Sequence, residues 1–298
     1  VEKRSFSWFT VLNYFLLTLF AFSMIYPFIY VLVYSLNDGK DSMMGALYFF
    51  PRKFTLDNYA QVFDNPQIWQ AYKITILRTL LGTVLSVLLS TLMAYALAKK
   101  TLPGRTFFTF YIFLPTIFSA GFIPYFITLQ KLHLINNFWV YVIPFLFNFM
   151  HIVIIRTFIQ GIPEELEEAA RIDGLGDFQI FMRIILPLSG PVLATISLFV
   201  GVMHWNDWFT GTYYVSNKSL IPVQTLLQQM LTEAEALSSS MQRAAQQGGQ
   251  TVNVSAAGAT PESLRMALLV ITVFPILCIY PFLQRYFVKG TMIGSVKG

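Results

Sequence analysis

KITILRTLLGTVLSVLLSTLMAYALA, residues 73–98, holds one charged side chain, Arg78, after its opening lysine. As a helix rising about 1.5 Å per residue, such a run outreaches the roughly 30 Å of a bilayer's hydrocarbon layer. Comparable apolar runs occupy residues 11–36, 107–129, 138–158, 190–212 and 265–286. Across the chain 55% of residues are hydrophobic and 12% charged, about half the charged fraction of an ordinary soluble domain. A water-soluble core of this composition would have almost no polar surface to present. The fold class is therefore all-α: a polytopic membrane protein with six transmembrane helices, read as a single domain over residues 1–298.

Working outward, the opening residues 1–36 combine a basic head with an apolar stretch of about 26 residues, too long for a cleaved signal and followed by no small-residue cleavage pattern. This is read as a retained first span. Six crossings put both termini on one side, and Lys3, Arg4, Lys99, Lys100, Arg105, Arg156, Arg171, Arg183, Arg285, Lys289 and Lys297 fall on that side. An excess of basic residues in short loops marks the cytoplasm. Both termini are accordingly cytoplasmic in a multi-pass membrane protein. The net charge of +5 is scattered, forms no groove-sized patch and suggests anionic headgroups rather than nucleic acid. Cys278, the only cysteine, lies in an apolar run and cannot form an internal disulfide.

Three connections carry information. In the external segment 37–72, FTLDNYAQVF predicts a short amphipathic helix ending at the Asn65-Pro66 break, suited to brace the bundle, to meet a soluble partner or simply to pack. In the cytoplasmic loop 159–189, Pro163 and the following glutamates are helix-start features, and Leu166, Ala169, Ala170 and Asp173 share one helical face. Gly174 ends that helix; Phe178, Phe181, Met182 and Ile185 form the apolar face of a second one before Pro187. The external loop 213–264 begins with a helix, LIPVQTLLQQML, and continues into a polar, Gly248-Gly249-containing stretch read as mobile. Its Asn253-Val254-Ser255 match to a glycosylation pattern is weak.

Enzyme signatures are missing. The chain has no phosphate-binding glycine loop with its lysine, no HExxH arrangement among His133, His151 and His204, and no carboxylate pair suited to bracket a sugar. At the outer half of the fifth span, Trp205, Asn206 and Asp207 combine aromatic and polar groups of the kind that stack on and hydrogen-bond a saccharide. Asp207, an acid inside a span, must face another helix, a partner subunit or a polar cavity. Cargo contact, gate or subunit packing and an interfacial aromatic belt all remain open for this segment, and Asn148 in the fourth span divides in the same way.

EAARIDGLGDFQIFMRIILP, residues 168–187, resembles the loop of permeases in binding-protein-dependent ABC importers: Glu168-Ala169-Ala170, three residues, Gly174, nine residues, then Ile184, Leu186 and Pro187. The resemblance runs along the whole chain and is closest to carbohydrate-importer permeases of the maltose-transporter MalG type, whose fifth-span motif and C-terminal tail WNDWF and GTMIGSVKG resemble. It implies that Glu168, Ala169, Ala170, Asp173 and Gly174 form a cytoplasmic coupling helix docking into a separate ATPase dimer, with Met292, Gly294 and Lys297 as an accessory tail contact. It also implies a second permease subunit, a different chain in the family pattern, an extracytoplasmic solute-binding protein and an oligosaccharide substrate at a bacterial cytoplasmic membrane. ATP and magnesium would bind the partner ATPase and no cofactor this chain. A permease for a polyamine or amino acid is the alternative, because the loop reports the ATPase rather than the cargo. Basic residues near a cavity would favour an acidic sugar, although Lys73 and Arg78 also suit anchoring of the second span.

Overall fold

The computed structural model describes residues 8–45, 47–118, 120–246 and 260–292, with the side chains of all but 234, 235, 237–246 and 280–292 among them. The helices are α1 (Trp8–Ser35), α2 (Gly39–Ser42), α3 (Asp57–Asp64), α4 (Pro66–Ala98), α5 (Arg105–Ile117), α6 (Phe122–Lys131), α7 (Phe149–Ile159), α8 (Glu165–Ile172), α9 (Asp177–Leu188), α10 (Gly190–Asn206), α11 (Phe209–Tyr214), α12 (Val223–Gln246) and α13 (Pro261–Met292). The fold is all-α, and among the described residues the β-structure is limited to one isolated bridge between Asn37 and Phe54.

Among the described residues three helices are unbroken and apolar enough to cross a membrane: α1, α4 and α13 over Pro261–Ile279. Two bent pairs raise the number to five, Phe138–Phe145 with α7 at 49° and α9 with α10 at 79°. The run at 107–129 is divided between α5 and α6, whose 13 and 10 residues are each too short to span alone. Breaks fall where backbone chemistry asks for them. Gly121, at φ +80°, precedes α6; Pro144 lies in the short turn Ile143–Phe145 before α7; Ser189 separates α9 from α10, whose first turn carries Pro191.

Two compact units form, one from the described residues within 1–66 and 229–274 and the other from those within 67–228 and 275–298. In the first, α3 is hydrogen-bonded to the end of α1. Buried Asn58 donates from Nδ2 to the carbonyls of Ser35 (2.9 Å) and Asn37 (2.9 Å), satisfying groups at and beyond the end of α1. Asn37 in turn accepts from Lys53 N (2.7 Å) and donates to Asp41 and Ser42, while Arg52 pairs with Asp41 at 2.8 Å. The second span starts earlier than hydrophobicity alone indicated: α4 begins at Pro66 rather than residue 73, because proline suits a first helical turn and the polar residues that follow do not oppose helix.

The second unit packs one core from α4 (Ala94, Tyr95, Leu97), α7 (Ile152, Ile155, Ile159), α9 (Ile180, Phe181, Ile185) and α10 (Val192, Ile196, Val200), with Ala170 of α8 inserted among them. Its other end is held by Asn136, in the left-handed region at φ +58°, whose backbone N–H donates to Tyr214 O (2.8 Å) and whose Oδ1 accepts from Ser216 N and Asn217 N. By contrast, no residue of α5 is buried.

Candidate functional site: the coupling helix and the fifth-span break

Pro163 and four glutamates start α8, and its end is a Schellman cap. Gly174 lies at φ +81°, Leu175 N donates to Ala170 O (3.0 Å) and Gly174 N to Arg171 O (3.0 Å). Only a residue free of Cβ strain adopts that conformation cheaply, and the chain thereby reverses from α8 into α9. The glutamates divide by direction. Glu167 pairs with Lys99, just past the end of α4, and Glu164 pairs with Lys100 at 2.5 Å. Arg171 joins α8 to the start of α9 through Asp177 at 3.1 Å.

Lys99 also lies 4.4 Å from the centre of the Tyr95 ring. Burial disfavours its charge, yet the hydrogen bonds to Glu167 and Tyr95 outweigh this and hold the ammonium above its usual value. At the exposed partner pair, the hydrogen bond from Lys100 lowers the Glu164 carboxyl below its usual value. Buried Ala170 and the Lys99–Glu167 pair therefore fix α8 to the end of α4, so displacement of one moves the other.

The remaining face of α8 points outward. Glu168, Ala169, Asp173 and Gly174 are exposed, Glu165 and Glu168 make no ion pair, Ile172 is 87% exposed and Phe178 67%. Ile172 was absent from the sequence-derived set; its signal was an isoleucine just before the capping Asp173-Gly174. The expected apolar face of α9 is split, with Phe181 and Ile185 buried in the core and Phe178 and Met182 exposed.

The fifth-span segment has a different construction. Trp205 is buried, and Asp207 sits in the break between α10 and α11, where its Oδ1 accepts from Thr210 N (3.1 Å) to start α11. Its other oxygen lies 3.4 Å from Arg78 Nη1. The Arg78 side chain is fully buried, and its Nη2 donates to Asp207 O (2.6 Å) and approaches Trp205 O at 3.4 Å. The guanidinium also lies 5.1 Å from the Tyr141 ring centre. Carbonyls at the end of α10, freed by the break, thus receive charged donors.

Composition identified Asp207 but not its partner. The signal was Arg78, a guanidinium in an apolar run that must be neutralised from within the protein. Around it α4 and α10 approach closely: a Cβ on Gly82 would overlap the ring of buried His204, which stands edge-on to Phe145. His204 is thus a packed bundle histidine. Asn206 is exposed and contacts Gln224 at 3.4 Å. Asn148, also exposed, caps α7 by accepting from Met150 N (2.9 Å) and His151 N (3.3 Å). Met292 is the last described helical residue of α13, while Gly294, Lys297, Gly248-Gly249 and the Asn253 motif lie outside the described residues. No group of three or more His, Cys, Asp or Glu side chains that could hold a metal occurs among the described residues.

Membrane-length helices, a surface helix rigidly joined to one of them and a break neutralised within the bundle define a membrane transport component. A model of the family described as binding-protein-dependent transport system inner membrane component matches residues 86–293, and the chain belongs to that family. The polygalacturonan/rhamnogalacturonan transport system permease protein YtcP of Bacillus subtilis (strain 168) is 36% identical, with the alignment covering 97% of this chain and 98% of the relative. The arabinooligosaccharides transport system permease protein AraQ of Halalkalibacterium halodurans is 27% identical over 93% of each chain. Among solved structures, a bacterial ABC transporter involved in the import of the acidic polysaccharide alginate has a chain that is 30% identical, with a TM-score of 0.85 over 96% of this chain and 99% of that one. As a member of this family the chain is a permease, a transport subunit rather than an enzyme.

Proposed function

We infer that the chain is a permease subunit of an ATP-driven, binding-protein-dependent importer of oligosaccharides, and that its cargo is an acidic saccharide. The observation that carries this is the near-complete alignment to a permease named for polygalacturonan and rhamnogalacturonan, supported by the alginate-importer fold. The whole chain serves as one permease domain with six crossings. In that arrangement α5 and α6 together make the third, both termini are cytoplasmic, and 159–189 and 213–264 are the coupling and external loops. Its partners are a second permease, an ATPase dimer that binds ATP and magnesium, and an external solute-binding protein.

Within the complex, Glu168, Ala169, Ala170, Asp173 and Gly174 serve as the coupling element, with Ile172 and Phe178 supplying apolar contact to the ATPase and the tail residues Met292, Gly294 and Lys297 an accessory one. Closure of the ATPase pair on ATP moves α8, and the ion pairs to Lys99 and Lys100 pass that movement to α4. Import requires that the two ends of the cycle differ in contact energy, so docking must favour one conformation over the other. Of the four residues considered for the cargo path, exposed Asn148 and Asn206 suit contact with sugar hydroxyls, whereas Trp205 and Asp207 are held by packing and by Arg78.

The test is uptake by the complete complex in proteoliposomes, with its binding protein outside and ATP inside. Oligogalacturonate should enter and stimulate ATP hydrolysis, and a neutral arabino-oligosaccharide should do so less. Preference for the neutral sugar would replace the cargo class while keeping the importer, and stimulation by amino acids or polyamines alone would overturn the carbohydrate assignment.

A further inference from the structure

A cavity of about 830 Å³ opens between α5 and α7, within the range of about 300–1,000 Å³ typical of ligand sites. None of its lining residues is acidic, and three are basic: Lys100, Arg105 and Arg156. Lys100 is engaged by Glu164 at the rim. Arg105 makes no ion pair, and Arg156 has a single long contact, Nη1 to Thr109 Oγ1 at 3.5 Å, with its buried Nε unpartnered. Two guanidiniums thus line one cavity with most of their donors unused.

Depth is what identifies the ligand. α5 starts, and α7 ends, at the same face of the unit as α8, since α8 follows α7 within a few residues and is ion-paired to Lys99 and Lys100. Arg105 and Arg156 are therefore level with one another. From Arg105, Phe110 and Phe113 lie about 7 and 12 Å further along α5 at 1.5 Å per residue, and Phe149 lies about 10 Å back along α7 from Arg156. Phe113 and Phe149 meet with ring centres 5.1 Å apart, closing the apolar floor. Basic groups above an aromatic floor, open beside a helix with no buried residue, match a phosphate headgroup with its acyl chains below.

We propose that this cavity is a site for an anionic phospholipid at the cytoplasmic leaflet, Arg105 and Arg156 holding the lipid phosphate and the rings of Phe113 and Phe149 the start of its acyl chains. The leaflet follows from the permease orientation proposed above; the lipid chemistry does not. Because the site adjoins Lys100 and the α4–α8 junction, its occupancy bears directly on the coupling helix.

The test is native mass spectrometry of the complete complex, permeases and ATPases together, released from detergent after incubation with equal phosphatidylglycerol and phosphatidylethanolamine. Wild type should retain phosphatidylglycerol preferentially, and Arg105→Gln with Arg156→Gln should lose about fivefold or more of it, while the paired Lys substitutions keep most. Equal retention of both lipids, or unchanged retention in the Gln variant, would overturn the proposal. So would displacement of phosphatidylglycerol by oligogalacturonate, which would reassign the cavity to cargo. Should the Gln variant fail to assemble, photoreactive phosphatidylglycerol on the wild-type complex decides: cross-links in peptides of α5 and α7 support the site, and cross-links confined elsewhere refute it. Intact sugar-stimulated ATP hydrolysis alongside a failed lipid result would remove this site and leave the importer standing.

Discussion

The surface helix α8 and the break between α10 and α11 are made from the same kinds of residue, acids beside aromatics and aliphatics, yet they use them in opposite directions. Around α8, Glu165, Glu168, Ile172 and Phe178 face outward, and the groups that anchor the helix are separate ones, Glu164, Glu167 and Ala170. Around Asp207, the carboxylate and the carbonyls of Trp205 and Asp207 are taken up internally, by Arg78 and by the start of α11. Residue type alone therefore does not separate an outward-facing surface from an internal lock. What separates them is whether the opposing groups lie within the chain.

The comparison breaks most visibly at Arg78. Arg78→Ala leaves the Asp207 carboxylate and the α10 carbonyls without their donor, and should destabilise the permease by about 3–5 kcal/mol, as loss of one partner of a buried pair does. Thermal unfolding of the purified complex should record this, and Arg78→Ala with Asp207→Asn should recover part of the loss. A variant of full stability would mean that the break is held by something other than the pair. Gly82→Ala should follow, at about 1–3 kcal/mol, because its new methyl must displace the buried His204 ring. Its signature is loss of stability without a change in ATPase affinity once assembled.

Gly174→Ala sharpens the other side. Holding alanine at φ +81° costs about 1–2 kcal/mol, localised to the α8–α9 reversal. Hydrogen exchange should rise in residues 165–180 and sugar-stimulated ATP hydrolysis should fall, while exchange around Asp207 stays as in wild type. The smallest stability effect belongs to Ile172→Glu. At 87% exposure it should move the unfolding temperature little, within about 0.5 kcal/mol, and yet weaken ATPase capture in pull-down from co-expressing membranes. A large stability change without altered capture would make Ile172 a packing residue.

The helical membrane class and α8 itself were legible because their signals are local: apolar runs of membrane length, a proline and acids at a helix start, and a glycine where the chain reverses. Gly174 at φ +81° is a direct realisation of such a signal. The break within the third run was not legible, because apolar composition is continuous across residues 107–129 and the backbone turn at Gly121 depends on the surrounding packing. The role of Asp207 was half legible. Its burial demanded a partner, but Arg78 is 129 positions away and only tertiary structure joins them. Asn58 and Asn136 were passed over for the same reason, since polar side chains in loops carry no mark of which distant backbone groups they will satisfy.

The proposed function requires that α8 meet a separate ATPase, and site-specific cross-linking tests that contact directly. In a Cys278→Ser background, Ile172→Cys and Glu168→Cys should each cross-link to the ATPase subunit in membranes, with a yield that changes when ATP is trapped. Asn206→Cys, at the fifth-span break, should give no ATPase adduct. Cross-linking from Asn206→Cys, or none from either α8 position in an intact complex that hydrolyses ATP, would contradict the assignment of residues 165–178 as the coupling surface.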